Sequence, residues 1–226
     1  MRNRYRKERR LLLLLLLMFV MVFCLWLEAG KPSLFPQGAL RKAEQSGLLE
    51  YGSFLTAAFD FSAEEQEIVH YTPAVSRSGS QLHVVELARR TLLWQPNDRA
   101  LAVPVEDPVT ALLLPWQINI ESDDSCYPAV LVYCPEAADV TATMTIAGEE
   151  VPSRTFSGRT GRGDRGCWLV AFENLYSKEN QPYLFVFQRL ERYYRYHRAL
   201  RASSITVEIT VFDRDGAVLS QKTLTY

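Results

Sequence analysis

The chain has few of the residues from which most active sites are built. It contains 226 residues but only three histidines, His70, His83 and His197, and none has a second histidine at helical spacing. No G-x-S-x-G nucleophile elbow is present, and four cysteines are too few for a disulfide scaffold of this length. We therefore assign no catalytic, cofactor-binding or metal-binding residue, because any zinc site would have to be assembled by the fold.

A large charge of either sign is also missing, because the formal net charge is only −1. The first ten residues carry six basic side chains and one acidic one, which leaves 19 basic and 25 acidic residues, a net charge of −6, for the remainder. A mildly acidic domain is not expected to bind nucleic acid, so we expect no nucleic-acid partner. Because the sequence contains no cofactor motif, we expect no cofactor either.

One long apolar run, Leu11 to Leu27, follows the basic N-terminus directly. At the helical rise it spans about 25 Å, slightly less than a ~30 Å hydrocarbon core, so a thin bilayer would accommodate it. The basic flank predicts a cytoplasmic tail over residues 1–10, a single-pass transmembrane signal-anchor helix over residues 11–27, and a C-terminal domain outside the cytoplasm. The alternative is a cleaved signal peptide, for which Leu27-Glu28-Ala29 is a poor cleavage site.

Residues 28–117 predict a spacer and a small irregular α/β region. A helix is expected from Ala39 to about Tyr51, and the capping box that starts at Ser62 predicts a second one that ends at Pro73. Ser76 to Ser80 reads as a polar loop. The apolar spacing from Gln81 to Trp94 fits either a helix or a strand, and of the two we expect a helix. Four prolines between residues 96 and 115 permit only short extended pieces there.

From residue 118 onward the pattern predicts short strands separated by turn signals. The expected strands are Ala129–Cys134, Val140–Ile146, Val151–Phe156, Cys167–Phe172, Tyr183–Phe187, Ile205–Val211 and Ala217–Tyr226. A glycine-rich loop is expected over residues 157–166, and Asp213 to Gly216 closes a hairpin. Extended chain between Cys126 and Cys134 would separate them by about 25 Å, so they should not be bonded and any disulfide must involve Cys167.

The closing stretch, SITVEITVFDRDGAVLSQKTLTY, resembles the final hairpin of an immunoglobulin-like or fibronectin-type domain. The resemblance covers at most residues 118–226 and implies a β-sandwich of two antiparallel sheets, without implying a function. The expected fold is therefore mainly β, with the sandwich preceded by the irregular region and the transmembrane helix.

Four segments are candidate binding sites. Asp213 to Gly216 reads as a hairpin turn and residues 121–124 as a solvated loop rather than as calcium loops, and Arg162-Gly163-Asp164 reads as an exposed loop. The segment Arg189 to Arg201 predicts an amphipathic basic helix inserted between two strands. Its candidate anion-binding residues are Arg192, Arg195 and Arg198, which would face lipid headgroups or an anionic envelope polymer; the alternative is a sandwich crossover with solvated arginines.

These features predict a membrane-anchored extracytoplasmic protein that serves as a binding or assembly module at the cell surface and is not an enzyme. The partner would be another protein or an anionic polymer or headgroup. Two alternatives stay open: a membrane-anchored envelope hydrolase, which needs a pocket where a nucleophile meets a base, and a structural subunit of a membrane complex, which needs a large exposed apolar patch.

Overall fold

The structure, a computed structural model, describes residues 2–28, 32–46, 49–61, 71–90, 93–119, 126–148, 151–176, 178–184, 186 and 203–226. The described chain is mainly β, with two α-helices before the strands. The helices are α1 (Arg2–Glu28) and α2 (Pro36–Gln45). The strands are β1 (Ser53–Thr56), β2 (Tyr71–Ser78), β3 (Gln81–Arg90), β4 (Leu93–Pro104), β5 (Thr110–Leu113), β6 (Ile118–Asn119), β7 (Cys126–Tyr127), β8 (Ala129–Tyr133), β9 (Asp139–Gly148), β10 (Val151–Ser157), β11 (Arg159–Arg162), β12 (Cys167–Ala171), β13 (Ser203–Phe212) and β14 (Val218–Thr225).

Twelve of these strands form three four-stranded antiparallel sheets, and β6 pairs with β7 alone. We call them the N-terminal sheet, in the order β1-β2-β3-β4, the central sheet, β11-β12-β8-β5, and the outer sheet, β10-β9-β13-β14. The shared apolar clusters show that the central sheet packs between the other two, while α2 covers the far face of the N-terminal sheet. The central and outer sheets form the expected β-sandwich, and the N-terminal sheet adds a third β layer.

The central sheet is buried on both faces. Every residue of β8 and of β12 is buried, and these two strands pair along their whole length. Val130 and Val132 point toward the outer sheet, whereas Ala129 and Leu131 point toward the N-terminal sheet. A continuous apolar run such as Ala-Val-Leu-Val-Tyr is what a strand without a solvent-facing side requires.

The outer sheet has one packed face and one solvent face, as alternating strands should. In β9, Val140, Ala142, Met144 and Ile146 are buried, and the threonines between them are exposed or half-buried. β13 pairs with β9 in full register and continues through the Asp213 to Gly216 turn into β14. The expected strands at residues 129–134, 140–146, 151–156, 167–172, 205–211 and 217–226 are therefore confirmed.

A buried carboxylate ties α2 to the N-terminal sheet. Glu44 is 3% exposed, and its Oε2 pairs with Arg41 Nη1 at 2.7 Å. Its Oε1 accepts hydrogen bonds from the Gly52 backbone N–H at 3.0 Å and from Ser76 Oγ at 3.4 Å. Because a buried charge is costly unless it is paired and hydrogen-bonded, these contacts fix the position of α2 on the sheet.

The predicted helix from Gln81 to Trp94 is wrong, because residues 81–90 form β3 and pair with β2 on one side and β4 on the other. Burial of both faces of β3 gives apolar residues without period-2 alternation, and this pattern resembles a helix. The predicted loop at Ser76 to Ser80 is a two-residue turn, since β2 extends to Ser78. The prolines also permit a twelve-residue strand, β4, because it lies at the edge of its sheet.

Other predicted boundaries differ as well. The first domain helix begins at Pro36 and ends at Gln45 rather than running from Ala39 to Tyr51. The strand predicted at Tyr183–Phe187 is wrong, because residues 181–184 and 186 are helical. Part of the expected loop over residues 157–166 is β11. The second predicted helix lies outside the described residues up to residue 70, and from Tyr71 onward the chain is β2. The described residues between 32 and 117 thus form the regular N-terminal sheet, the helix α2 and the strand β5 of the central sheet.

α1 presents an unbroken series of exposed side chains, almost all apolar, from Leu11 to Trp26. Among the described residues, no helix combines the length and apolar character that are needed to cross a membrane.

Two glycines with nearly equal positive φ provide a matched test of the packing. At Gly216, φ is 78° and an added Cβ meets no atom within 4 Å; at Gly166, φ is 79° and the Cβ would lie 2.4 Å from Pro135 Cα. Gly216→Ala should cost about 1 kcal/mol, the penalty of a left-handed alanine. We expect Gly166→Ala to cost clearly more, about 3 kcal/mol or above, because backbone must move. Urea unfolding measures both, and equal costs would contradict the close approach at Gly166.

Candidate functional site

An open cleft of about 700 Å³ lies where the edge of the N-terminal sheet meets the end of the central sheet. Four chain segments contribute to its wall, and three of the lining residues are arginines. The lining residues are Ser53, Leu55, Arg77, Gly79, Tyr133, Pro135, Arg162, Arg165 and Gly166. We call this site the arginine cleft.

Arg77 is held at the end of β2 by two hydrogen bonds. Its Nη1 donates to Tyr133 Oη at 3.1 Å, and its Nε donates to the Gly79 carbonyl at 3.1 Å. The guanidinium also lies 5.9 Å from the centre of the Tyr133 ring. Gly79 has φ 56° in the turn between β2 and β3, where a tight hairpin favours glycine. The turn therefore fixes this arginine against the central sheet.

Arg165 reaches the cleft from the turn between β11 and β12. Its backbone has φ 55°, and its Nη1 donates to the Phe54 carbonyl of β1 at 2.9 Å. Gly166 follows it, and a Cβ at this position would lie so close to the backbone of Pro135 that only glycine fits. A non-glycine residue at positive φ costs about 1–2 kcal/mol, so the surrounding contacts must hold this turn in place.

Arg162 lies at the end of β11 with its guanidinium 5.4 Å from the centre of the Trp168 ring. Its side chain makes no hydrogen bond or ion pair within the described part of the chain. The β11 backbone is positioned by Asp60, whose N–H donates to the Arg162 carbonyl at 2.8 Å and whose carbonyl accepts from the Arg162 N–H at 2.8 Å. A rigid strand therefore presents a guanidinium with all its donors available.

The charged side chains among the described lining residues of the arginine cleft are all arginines. The guanidinium of Arg77 lies against Tyr133, which packs toward the N-terminal sheet, whereas that of Arg162 stacks on Trp168, which packs toward the outer sheet. Asp164 lies between Arg162 and Arg165 in the chain but does not line the cleft, and its charge acts on Cys167. Arginine keeps its charge at any ordinary pH and offers five N–H donors in a planar fork that matches oxyanions. The cleft can therefore hold an anion.

The two remaining arginines of this region serve other contacts. Arg159 Nη1 pairs with Glu173 Oε1 at 3.1 Å, and its Nε donates to the Phe61 carbonyl at 3.2 Å. Arg154 stacks over the Phe156 and Tyr183 rings. Of the arginines between residues 154 and 165, only Arg162 and Arg165 reach the cleft, and Arg77 joins them from a distant part of the sequence. The tripeptide Arg162-Gly163-Asp164 thus leaves a strand rather than forming an isolated loop.

Several residues singled out from sequence lie elsewhere. Arg192, Arg195 and Arg198, together with His70 and His197, fall outside the described residues, so their assignments stay predictions. His83 is 1% exposed on β3; its Nε2 lies 3.4 Å from Gln81 Oε1, and its Nδ1 has no hydrogen-bond partner among the described residues. It does not line the arginine cleft.

The acidic turn between β13 and β14 uses its carboxylate on its own backbone. Asp213 Oδ1 accepts hydrogen bonds from the N–H groups of Asp215 at 2.9 Å and Ala217 at 2.8 Å. A carboxylate that caps a turn in this way is structural, as predicted for this hairpin. Residues 121–124 lie outside the described part of the chain. Within the described part, no group of three or more histidine, cysteine, aspartate or glutamate side chains could hold a metal ion.

The central sheet separates two buried thiols, those of Cys134 and Cys167. Cys134 packs toward the outer sheet and Cys167 toward the N-terminal sheet, and both are free. The prediction that Cys134 is not bonded to Cys126 is confirmed. Burial, assisted by the negative charge of Asp164, raises the pKa of Cys167 to about 12. A thiol that stays protonated is a poor nucleophile and metal ligand.

Comparison of the chain with protein-family models, curated proteins and solved structures finds no match.

The raised pKa of Cys167 predicts a loss of stability at high pH. Above the ordinary thiol pKa of 9.0, the unfolded chain ionises while the folded thiol keeps its proton until about pH 12. The free energy of unfolding should fall by up to ~1.4 kcal/mol per pH unit from this group as pH rises through that window. Urea unfolding at several pH values tests this, with Cys167→Ala as the control that lacks the thiol. Equal slopes for both proteins above pH 9.0 would contradict the burial of this thiol.

Proposed function

We propose that this chain is a membrane-anchored binding module at the outer cell surface, whose β-sandwich binds an anionic partner in the arginine cleft. The observation that carries the binding role is that Arg77, Arg162 and Arg165 line one cleft, with no carboxylate among the lining residues that the structure describes. Those described lining residues also include no histidine or cysteine, which favours binding over hydrolysis, since a hydrolase needs a nucleophile and a base in its pocket.

The apolar face of α1 supports the anchor. Side chains from Leu11 to Trp26 are all exposed, and this much apolar surface is unfavourable in water. The apolar segment is slightly shorter than the hydrocarbon core of a bilayer, so its insertion would thin the bilayer locally. Basic residues precede it and would remain in the cytoplasm, which would place the domain outside.

The junction between α1 and the domain also suits a membrane surface. Trp26 Nε1 donates to the Pro32 carbonyl at 3.1 Å, and Lys42 Nζ lies 5.9 Å from the centre of the Trp26 ring. Leu34 and Phe35 follow with exposures of 67% and 73%. A tryptophan and two exposed apolar side chains are residues that anchor proteins at the headgroup level.

The backbone around Leu34 and Phe35 is held in place by the domain. Ser33 exchanges two backbone hydrogen bonds with Trp94 of β4, at 2.8 and 2.7 Å, and Phe35 begins α2 as its N-cap. The domain therefore holds these two side chains out beside the end of α1. We propose that they enter the interface of the outer leaflet.

The order of the strands supports an immunoglobulin-like arrangement for the sandwich. In the central sheet, β5, β8, β12 and β11 occupy the positions of strands A, B, E and D; in the outer sheet, β9, β13 and β14 occupy those of C, F and G, with β10 as C′. Antibody domains add a tryptophan on strand C and a disulfide between B and F. Here β9 has no tryptophan and Cys134 is free, so the proposal concerns the strand arrangement alone.

The proposed topology predicts which sites an impermeant thiol label reaches in intact cells. With Cys24 and Cys126 changed to serine, a cysteine at Gln37 should react and a cysteine at Asn3 should react only after the membrane is opened. The purified protein should also retain its first residues. Equal labelling at both sites in intact cells, or a mature N-terminus beyond Glu28, would contradict the anchor.

If Phe35 enters the interface of the outer leaflet as proposed, a probe at position 35 should be near lipid. In the same background, Phe35→Cys carrying an environment-sensitive fluorophore should show blue-shifted emission in phosphatidylcholine nanodiscs, because the dye leaves water. The control is Arg214→Cys in the turn of the outer sheet, three layers away from α2, where the emission should match that in water. Water-like emission at both positions would mean that the domain does not rest on the bilayer.

A further inference from the structure

We infer that two copies of this chain form a two-fold symmetric dimer in which β14 of one copy pairs antiparallel with β14 of the other. The two outer sheets would then join into one continuous sheet. Three features of β14 support this contact: the backbone groups that it leaves on its outer side, the lack of any device that blocks pairing there, and the symmetry of its regular part. The contact lies away from the arginine cleft and adds a second copy of the chain as a partner.

β14 leaves backbone groups unpaired along one side. It is the last strand of the outer sheet, and the described chain places no strand beyond it. Ile205 and Tyr226 exchange two backbone hydrogen bonds of 2.9 Å each. Because hydrogen-bonded and non-hydrogen-bonded pairs alternate along an antiparallel ladder, the N–H and C=O groups of Gln221, Thr223 and Thr225 point away from β13. All three residues are exposed. We call this side of β14 the open edge.

The other edge strands of the three described sheets all carry a feature that hinders pairing. β1 and β11 have four residues each, and β1 is also irregular in register. β4 and β10 contain prolines, and the register of β10 is interrupted beside Pro152. β5 has four residues, and the N–H group of Leu113 donates to Tyr226 Oη at 3.3 Å. Short strands, prolines and irregular register are the means by which proteins prevent association between sheet edges.

β14 has none of these features along its regular part. It is eight residues long and contains no proline. From Ser220 to Tyr226 it pairs with β13 without interruption. Its one charged side chain is turned onto its own domain, where Lys222 Nζ donates to Glu106 and, at 3.2 Å, to the Val109 carbonyl. A long, regular edge without an outward charge is a template for another strand.

The regular part of β14 is a suitable partner for itself. Thr223 lies at its middle, so a two-fold axis at this residue places Thr223 opposite its own copy and Gln221 opposite Thr225. These are the residues of the open edge. Each such pair can exchange two hydrogen bonds, about six in total. A contact in which the same surface meets itself is the commonest arrangement in homodimers.

The side chains select this register. On the solvent face, Thr223 meets Thr223 and Gln221 meets Thr225, and hydroxyl and amide pairs of this kind stabilise neighbouring strands. On the other face, Lys222 lies opposite Leu224. A register centred on Lys222 would instead place two lysines directly opposite each other, which is destabilising. Charge therefore favours the register centred on Thr223.

The dimer also suits two copies that share one membrane, and this step alone rests on the proposed anchor. The two-fold axis of a continuous antiparallel sheet is perpendicular to the sheet. α2, the N-terminal sheet, the central sheet and the outer sheet are stacked in that order, and Phe35 is the N-cap of α2. The axis is therefore perpendicular to all the layers and leaves both copies of α2 on the same side of the dimer. Both copies of α1 can then enter the same bilayer.

Disulfide formation tests the contact and its register in the full chain, purified in dodecyl maltoside with Cys24 and Cys126 changed to serine. Thr223→Cys should give a linked dimer on mild oxidation, because opposite Cα atoms of a hydrogen-bonded pair lie about 5.5 Å apart. Gln221→Cys alone should stay monomeric, since its own copy would lie roughly 14 Å away along the strand. Mixed with Thr225→Cys, it should form the disulfide between the two variants.

The oligomeric state of the full chain in the same detergent tests the energetics, measured by sedimentation velocity. We expect a dimer that Thr223→Lys converts to a monomer, because it places two lysines opposite each other at the axis. Thr141→Lys is the matched control and should leave the dimer intact: it adds the same charge to an exposed threonine of the solvent face, but on the interior strand β9. Circular dichroism confirms that both variants are folded.

Three results would overturn the inference. A dimer that persists in Thr223→Lys would place the association elsewhere, for example between two copies of α1. Loss of the dimer in both lysine variants would place the contact on the face of the sheet rather than on its edge. A monomeric parent whose Thr223→Cys variant stays unlinked would exclude self-pairing and leave the open edge to a strand of another protein. None of these results depends on whether α1 enters a membrane or the arginine cleft binds an anion, so failure here is distinguishable from failure of the proposed function.

Discussion

Burial of the central sheet on both faces is the constraint on which the rest of this structure depends. Because β8 and β12 have no face for polar side chains, each must be covered from two sides, by the outer sheet and by the N-terminal sheet. The N-terminal sheet in turn buries its second face under α2, where Glu44 is fully hydrogen-bonded. The order of the layers follows from this requirement, and only the outer sheet keeps a polar face.

The arginine cleft is a consequence of the same stacking. Where two twisted sheets meet, their edges diverge, and the loops at that end leave a gap. Tyr133 ends the central strand β8, Arg77 ends β2 of the N-terminal sheet, and their side chains meet across the gap at 3.1 Å. The packed sheets give the cleft a rigid floor, and the tight turns at Gly79 and Gly166 bring cationic side chains to its rim. A binding site built on such a scaffold is ordered before the ligand arrives.

The strands of the sandwich were predictable because β9 and β13 alternate cleanly between packed and exposed positions, and because β8 and β12 are short apolar runs between turns. β3 was not, since Val84, Val85 and Leu87 are buried on different faces and mimic helical spacing. The site itself could not be predicted. From sequence, Arg162 is part of an exposed Arg-Gly-Asp loop, but Arg77 is 56 residues from Tyr133 and reaches this site only through the packing of two sheets.

Native-state hydrogen exchange is the most direct test of the central claim, that one doubly covered sheet unites both halves of the domain. The amides of β8 and β12 should be the slowest to exchange, and those of β3 and β13 should open in the same cooperative step, because neither neighbouring sheet can leave without exposing the central one. If β3 and its neighbours exchange through a separate, lower-energy opening while β8, β12 and β13 stay protected, the two halves are independent and this account of the fold is wrong.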